Sequence, residues 1–166
     1  LLLILVGVLA TLAEYGQDMR RLRAGLVEGS RLVATRHGLV EVSIQGEGEP
    51  ILLLHGAGGG YDQALLLARM FGSGQHRWIA VSRFGYLRSE LPGDPSTQAQ
   101  AEALVDLLDA EGIKRVGLLA MSGGVPPALQ LAALYPERVS GIALLSSAPF
   151  TPLTAAAQDL PLPAWA

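Results

Sequence analysis

The chain has 166 residues, of which 50% are hydrophobic and 16% charged, which suits one domain with a substantial core and argues against disorder. A formal charge of -3, with no Lys/Arg block beyond Arg20, Arg21 and Arg23, argues against a nucleic-acid partner. With no cysteine there is neither a disulfide framework nor a thiolate metal site, and cysteine usage leaves the redox compartment open.

The run Leu1 to Ala13 carries no charge, but as a helix it reaches only about 20 Å against a hydrocarbon core of about 30 Å. Alone it is too short to span. With further residues upstream it becomes the end of a transmembrane anchor, which is the expectation; the alternatives are the apolar region of a signal peptide, with export, and a buried helix. Thr11-Leu12-Ala13 is a poor small-x-small cleavage match. Arg20, Arg21 and Arg23 favour a cytoplasmic placement of the domain C-terminal to them. The chain starts inside this run without Met and stops at Trp165-Ala166 in a Pro/Ala-rich stretch, so a fragment of a longer protein is expected.

Glu14 to Glu28 is predicted as a charge-rich helical connector. Alternation over Leu32 to Thr35 and Leu39 to Ile44, with His37-Gly38 between, predicts two antiparallel strands and a tight turn that His37 merely occupies. Ile51 to Leu54 is a continuous apolar run, as in a strand covered on both faces. The loop His55-Gly56-Ala57-Gly58-Gly59-Gly60 comes next, then a helix over Tyr61 to Met70. Tyr61 stands where a dinucleotide fingerprint needs glycine, and no Gly-Lys-Ser/Thr is present after it to make a P-loop. The remaining possibility is a loop whose backbone can approach a ligand and offer N–H groups to an oxyanion.

His76 is placed in a solvated Gly/Ser-rich loop before a strand over Arg77 to Ser82. Beyond it, Gly85 permits a turn, and Arg83 and Arg88 are expected to clamp local carbonyls. Ser96 is placed to cap a helix through Glu111, with Asp106, Asp109 and Glu111 on a solvated face. Ile113 to Ala120 is a strand running into Ser122, with two glycines and a helix after it: a hydroxyl on a sharp strand-to-helix turn is a candidate nucleophile. Val139 to Ser146 is a further buried strand, leaving an apolar edge. Alternating strands and helices from Ile51 onward predict an α/β fold, a mostly parallel sheet flanked by helices and preceded by an apolar N-terminal helix. Ligands in such sheets sit at the carboxyl ends of the strands, where His55 to Gly58 and Ser122 both fall.

Four stretches in this order resemble the α/β-hydrolase family: His55-Gly-Ala-Gly58, Ser82-Arg-Phe-Gly-Tyr86, Ala120-Met-Ser-Gly-Gly124 and Tyr135-Pro-Glu-Arg-Val139. The resemblance covers about Arg31 to Phe150. It implies Ser122 as nucleophile, with the backbone N–H groups of Ala57 and Gly123 as oxyanion hole, His55 as a support for its loop, and no cofactor or metal. It divides the chain into an apolar helix and connector over 1–28, an incomplete hydrolase core over 29–150 and the start of a lid or cap over 151–166.

Two features depart from the family pattern. Ala120 replaces the first glycine of Gly-x-Ser-x-Gly, a change of one methyl that the turn is expected to survive. No histidine comes after Ser122, whereas the family's acid and base come after the nucleophile; Asp159 in the Pro/Ala-rich tail reads as a surface residue. The implied function is a serine hydrolase of a small-molecule ester or related acyl substrate, with the 166 residues themselves inactive; the apolar run Leu1 to Ala13, outside the resemblance, adds the expectation of membrane association. The serine argues against dehalogenase and epoxide hydrolase chemistry, which need a carboxylate nucleophile. The alternative is a non-catalytic, membrane-tethered binding module of the same fold.

Overall fold

The computed structural model describes residues 2–72 and 75–147; the expected lid or cap over 151–166 lies outside them. In chain order the elements are α1 (Leu2–Glu28), β1 (Arg31–Thr35), β2 (Gly38–Gln45), β3 (Glu49–Leu54), α2 (Tyr61–Phe71), β4 (His76–Val81), α3 (Thr97–Ala110), β5 (Val116–Met121), α4 (Val125–Leu134) and β6 (Val139–Leu145). The strands form one sheet in the order β1-β2-β4-β3-β5-β6. β1 and β2 pair antiparallel, as do β2 and β4, while β4, β3, β5 and β6 run parallel. This is the expected mixed, mostly parallel α/β architecture.

The continuous apolar runs result from coverage on both faces. Leu52, Leu54, Ile79, Val81, Leu118 and Ala120 point to the side occupied by α3 and α4, while Leu53, Ala80 and Leu119 point to the side of α2. Successive side chains of one strand thus feed two separate cores, and neither face can carry a polar alternation. Ser96 caps α3 as expected, its Oγ accepting from Ala99 N–H at 3.1 Å.

Several expectations need correction. Asp106 and Glu111 do not lie on a solvated face, because α3 lies across β1 and the turn after it, whereas Asp109 is exposed as expected. Asp106 accepts from the Arg36 guanidinium (2.6 Å), Glu111 pairs with Arg31 and Arg77, Asp109 accepts from Arg138 (2.7 Å), and Glu102 meets His37 Nε2 (2.8 Å). His37 occupies the turn and also ties it to α3. His76 is the first residue of β4 rather than a loop residue; it is half-buried, its ring edge-on to Trp78, and its Nδ1 has no hydrogen-bond partner among the described residues. β6 forms where expected, yet it is mostly exposed, because it lies at the rim of the described sheet.

The apolar run and the connector are one continuous 27-residue helix, about 40 Å long. No helix among the described residues is long and apolar enough to cross a membrane, in line with the length limit already set on Leu1 to Ala13.

Candidate active site

Strand register brings the site together. Leu54 of β3 pairs with Ala120 of β5 on one side and Val81 of β4 on the other, so the segments beyond these three residues leave the sheet side by side. They are the His55 to Gly60 loop, Ser122 and Ser82-Arg83. A methyl group built on Gly56 would lie 3.4 Å from Ser122 Cβ, which measures how closely loop and serine pack.

Ser122 has φ 48°, in the left-handed region that costs a non-glycine residue about 1 kcal/mol or more. That dihedral turns the chain from β5 into a short 3-10 turn (Ser122–Gly124) and then α4, opened by Val125 with Pro126 and Pro127 in its first turn. The turn persists with alanine at 120, which is fully buried beneath it. Gly124 is there for a different reason: a Cβ would fall 2.5 Å from the Leu54 carbonyl oxygen and 2.7 Å from that of His55. The helix start and the end of β3 approach too closely for any side chain.

His55 is fully buried and spends both ring nitrogens on the backbone. Its Nδ1–H donates to the Gly56 carbonyl (2.7 Å), and Nε2 accepts from Arg83 N–H (2.9 Å). Arg83 closes the clamp, donating from Nε to the His55 carbonyl (3.1 Å) and from Nη2 to that of Gly56 (3.1 Å), with its guanidinium 5.0 Å from the Tyr86 ring centroid. His55 is therefore a scaffold group, as the resemblance implies, and Arg83 is the clamp expected of it.

Burial lowers the His55 pKa from 6.5 to about 4, outweighing the Gly56 hydrogen bond, which raises it. Below pH 6.5 the unfolded chain takes up a proton on this imidazole that the fold refuses. This share of stability is whole above pH 6.5 and fades as pH falls from 6.5 to about 4, by roughly 3 kcal/mol. Urea unfolding at pH 7.5 and 4.5 checks it: the loss is expected in the native chain and should shrink in His55→Asn, which starts from a lower stability.

Sequence reasoning missed Gln63, whose Oε1 accepts from Gly56 N–H (3.0 Å) and pins the loop from α2. Asp62 Oδ1 accepts from Gly60 N–H (2.9 Å), and Ser82 Oγ from Tyr61 N–H (3.0 Å). Against these occupied donors, the N–H groups of Ala57 and Gly123 find no acceptor among the described residues. Ala57 is exposed and Gly123 half-buried, so both can reach a ligand. The Ser122 hydroxyl has no hydrogen-bond partner among the described residues, and no histidine stands beside it to take its proton. Nor do three or more His, Asp or Glu side chains among the described residues converge there as a metal would need.

A second buried polar cluster was also missed, beside this loop. Glu41 is 1% exposed, in mid β2 between Val40 and Val42. Its carboxylate accepts from Ser30 Oγ (2.6 Å), Ser82 Oγ (2.8 Å), Arg88 Nε (2.7 Å) and Arg88 N–H (3.2 Å). Burial alone would raise this carboxyl, but the hydrogen bonds from Ser30, Arg88 and Ser82 win and hold it below its ordinary value. Arg88 also donates to the carbonyls of Ser30 (2.9 Å) and Val27 (3.3 Å), and Tyr61 Oη donates to that of Leu26 (2.7 Å). The cluster thus welds the end of α1 to the sheet. Arg88 clamps carbonyls as expected and, in addition, neutralises a buried acid.

A β3-loop-α2 unit, a strained serine on a β5-α4 turn and a mostly parallel sheet between two helical layers define a class of hydrolase folds. The chain belongs to the α/β-hydrolase fold family, whose model matches residues 49–166. It is 40% identical over 106 residues to the 2-hydroxymuconate semialdehyde hydrolase of Pseudomonas putida, covering 62% of this chain and 38% of the relative. It is 34% identical over 129 residues to Lipase 1 of Psychrobacter immobilis, covering 75% of this chain and 38% of that protein. Among solved structures, an alpha/beta hydrolase fold protein from Nakamurella multipartita matches with a TM-score of 0.66 and 37% identity, over 69% of this chain and 40% of that one. The chain thus spans about two fifths of the length of the relatives it matches.

Proposed function

We propose that this chain is the nucleophile-bearing part of a serine hydrolase that cleaves an ester or related acyl bond. The observation that carries the reading is Ser122 at φ 48° on the strand-to-helix turn, packed against Gly56 of the loop; the N–H groups of Ala57 and Gly123, without an acceptor among the described residues, support it. In the proposed reaction Ser122 Oγ attacks the substrate carbonyl and loses its proton to a base. The oxyanion is held by the two N–H groups, the alcohol leaves with a proton, and water then releases the acid from the acyl-enzyme. Relatives named as a lipase and as a semialdehyde hydrolase support hydrolysis of small carbonyl substrates by this fold. A serine at the turn favours acyl transfer over the carboxylate-dependent opening of epoxides.

None of the three histidines is placed to serve Ser122 as base, and Asp159, the carboxylate after Arg138, lies outside the described residues. His55 is consumed by its clamp, His37 bonds Glu102, His76 begins β4 at the far end of the sheet, and no histidine comes after Ser122. Without a base Ser122 keeps its proton and is a poor nucleophile. The 166-residue chain is therefore expected to give no steady, serine-dependent hydrolysis of p-nitrophenyl acetate, and a chain extended to the relatives' full length is expected to give it. Equal rates for the extended chain and its Ser122→Ala variant would sink the hydrolase reading in favour of a non-catalytic binding module. Serine-dependent turnover by the 166 residues would sink the assignment of the base to chain outside them.

A further inference from the structure

The N-terminal half of α1 is apolar all the way round and covered by nothing among the described residues. Leu3 is 86% exposed, Ile4 70%, Leu5 54% and Val6 54%; at 100° per residue these four side chains complete the circumference of the helix. Val8, Leu9 and Leu12 continue the surface, each half or more exposed, and a methyl group added at Gly7 or Gly16 would meet nothing within 4 Å. A helix that docks on a protein needs one apolar stripe, whereas one that is apolar on every side calls for an apolar medium on every side.

The rest of α1 is graded as a membrane interface would require. Tyr15 lies just past the apolar run, 63% exposed, where an aromatic ring suits the headgroup boundary. Arg20, Arg21 and Arg23 come next, about 10 Å or more along the axis from Ala13, at the outer side of the headgroup layer, where long side chains reaching back meet lipid phosphates; Arg21 is shared with Asp18 (3.9 Å). The far end of the helix is the part welded to the domain through Leu26, Val27 and Ser30. The last turns of α1 also lie beside Asp62, at the start of α2 and close to the Ala57 loop.

We propose that α1 is a lipid-immersion helix: Leu3 to Ala13 seat in the hydrocarbon of a bilayer, the arginines engage anionic headgroups, and the Glu41-Arg88-Tyr61 joint carries that attachment rigidly to the carboxyl edge of the sheet. From Ala13 to Leu26 is about 20 Å of helix, the length that separates the joint from the lipid. Attachment of this kind is independent of the chemistry assigned to Ser122.

Co-sedimentation of the 166-residue chain with phosphatidylcholine vesicles, with and without phosphatidylglycerol, tests it. The native chain is expected to bind both and to prefer the anionic ones. Leu9→Asp should weaken binding roughly a hundredfold without changing the melting temperature, because Leu9 touches no part of the domain. Arg20→Gln with Arg23→Gln should cost roughly tenfold on anionic vesicles only. The joint is read from spin labels at Gln17→Cys and Lys114→Cys, sites made unique by the absence of native cysteine: one narrow distance in the native joint, a broad one in Glu41→Gln. The proposal is overturned if the native chain ignores vesicles, if Leu9→Asp binds like the native chain, or if α1 instead makes a dimer that Leu9→Asp dissociates. Equal binding of the arginine variant to both vesicle types overturns the headgroup assignment if the native chain binds them equally too, and a broad native distance overturns the rigid joint.

Discussion

Arg88→Met is expected to destabilise the chain by about 3–5 kcal/mol at neutral pH, more than almost any other side-chain change in the domain. The reason is the charge it leaves behind. Glu41 is 1% exposed, and Arg88 supplies the only positive charge among its bonded partners. Methionine fills much of the space but leaves an ionised carboxylate in the interior with two serine hydroxyls and one amide for company. At about 2–4 °C per kcal/mol for a chain of this size, the melting temperature should fall by roughly 10 °C.

The pH dependence gives the prediction a second readout. In the native fold the Glu41 carboxyl lies below its ordinary value of 4.5, so its contribution is present above that pH and is lost as pH falls through the folded value. In Arg88→Met burial dominates and pushes the carboxyl up, so acidification protonates it early and the gap to the native chain narrows. Glu41→Gln combined with Arg88→Met should recover part of the loss at neutral pH. A melting temperature within about 2 °C of native for Arg88→Met would refute a buried charge pair at this joint.

Gly124→Val should be nearly as damaging, through sterics rather than charge. Its Cβ would fall 2.5 Å from Leu54 O, 2.7 Å from His55 O and 2.8 Å from Leu54 C, all of them backbone atoms of the central strand or its exit. A flexible side chain could swing away; a paired strand cannot. Either α4 lifts from the sheet or β3 bends, and a loss of about 3 kcal/mol or more is expected. Gly123→Ala should be milder, because its nearest neighbour at 3.1 Å is Arg83 Nη2, a side-chain atom that can give by a few tenths of an ångström at some cost to its bond with the Gly56 carbonyl, rather than paired backbone. Chemical denaturation of the two variants side by side separates them; equal losses would mean that close approach at Gly124 is not what the turn depends on.

The parts of this molecule legible in the sequence are those governed by local rules. Ile51 to Leu54 reads as a doubly covered strand because a short, unbroken apolar run leaves no face for water. The elbow reads as one because small residues cluster around a single serine between a strand and a helix. Glu41 is illegible for the opposite reason. Alternation along β2 makes it the outward residue between two inward valines, and its partner Arg88 lies 47 positions later, so no spacing announces the pair. The acids of α3 mislead in the same way: a row of Glu and Asp on a helix reads as solvated until β1 and its turn place Arg31, Arg36 and His37 against it. Gln63 carries no signal at all, since its role depends on how α2 folds back over the loop.

The strand order β1-β2-β4-β3-β5-β6 has a consequence for synthesis on the ribosome. β2 emerges to find β1, β4 to find both β2 and β3, β5 to find β3, and β6 to find β5. Only β3 of the later strands emerges before any neighbour is available, and it is among the most apolar segments of the chain. Its waiting time ends when β4 arrives, after the Gly-rich loop and α2 have been made. The interval between Leu54 and His76 is therefore the window in which the nascent chain most needs protection, and a translational pause there would expose it longest.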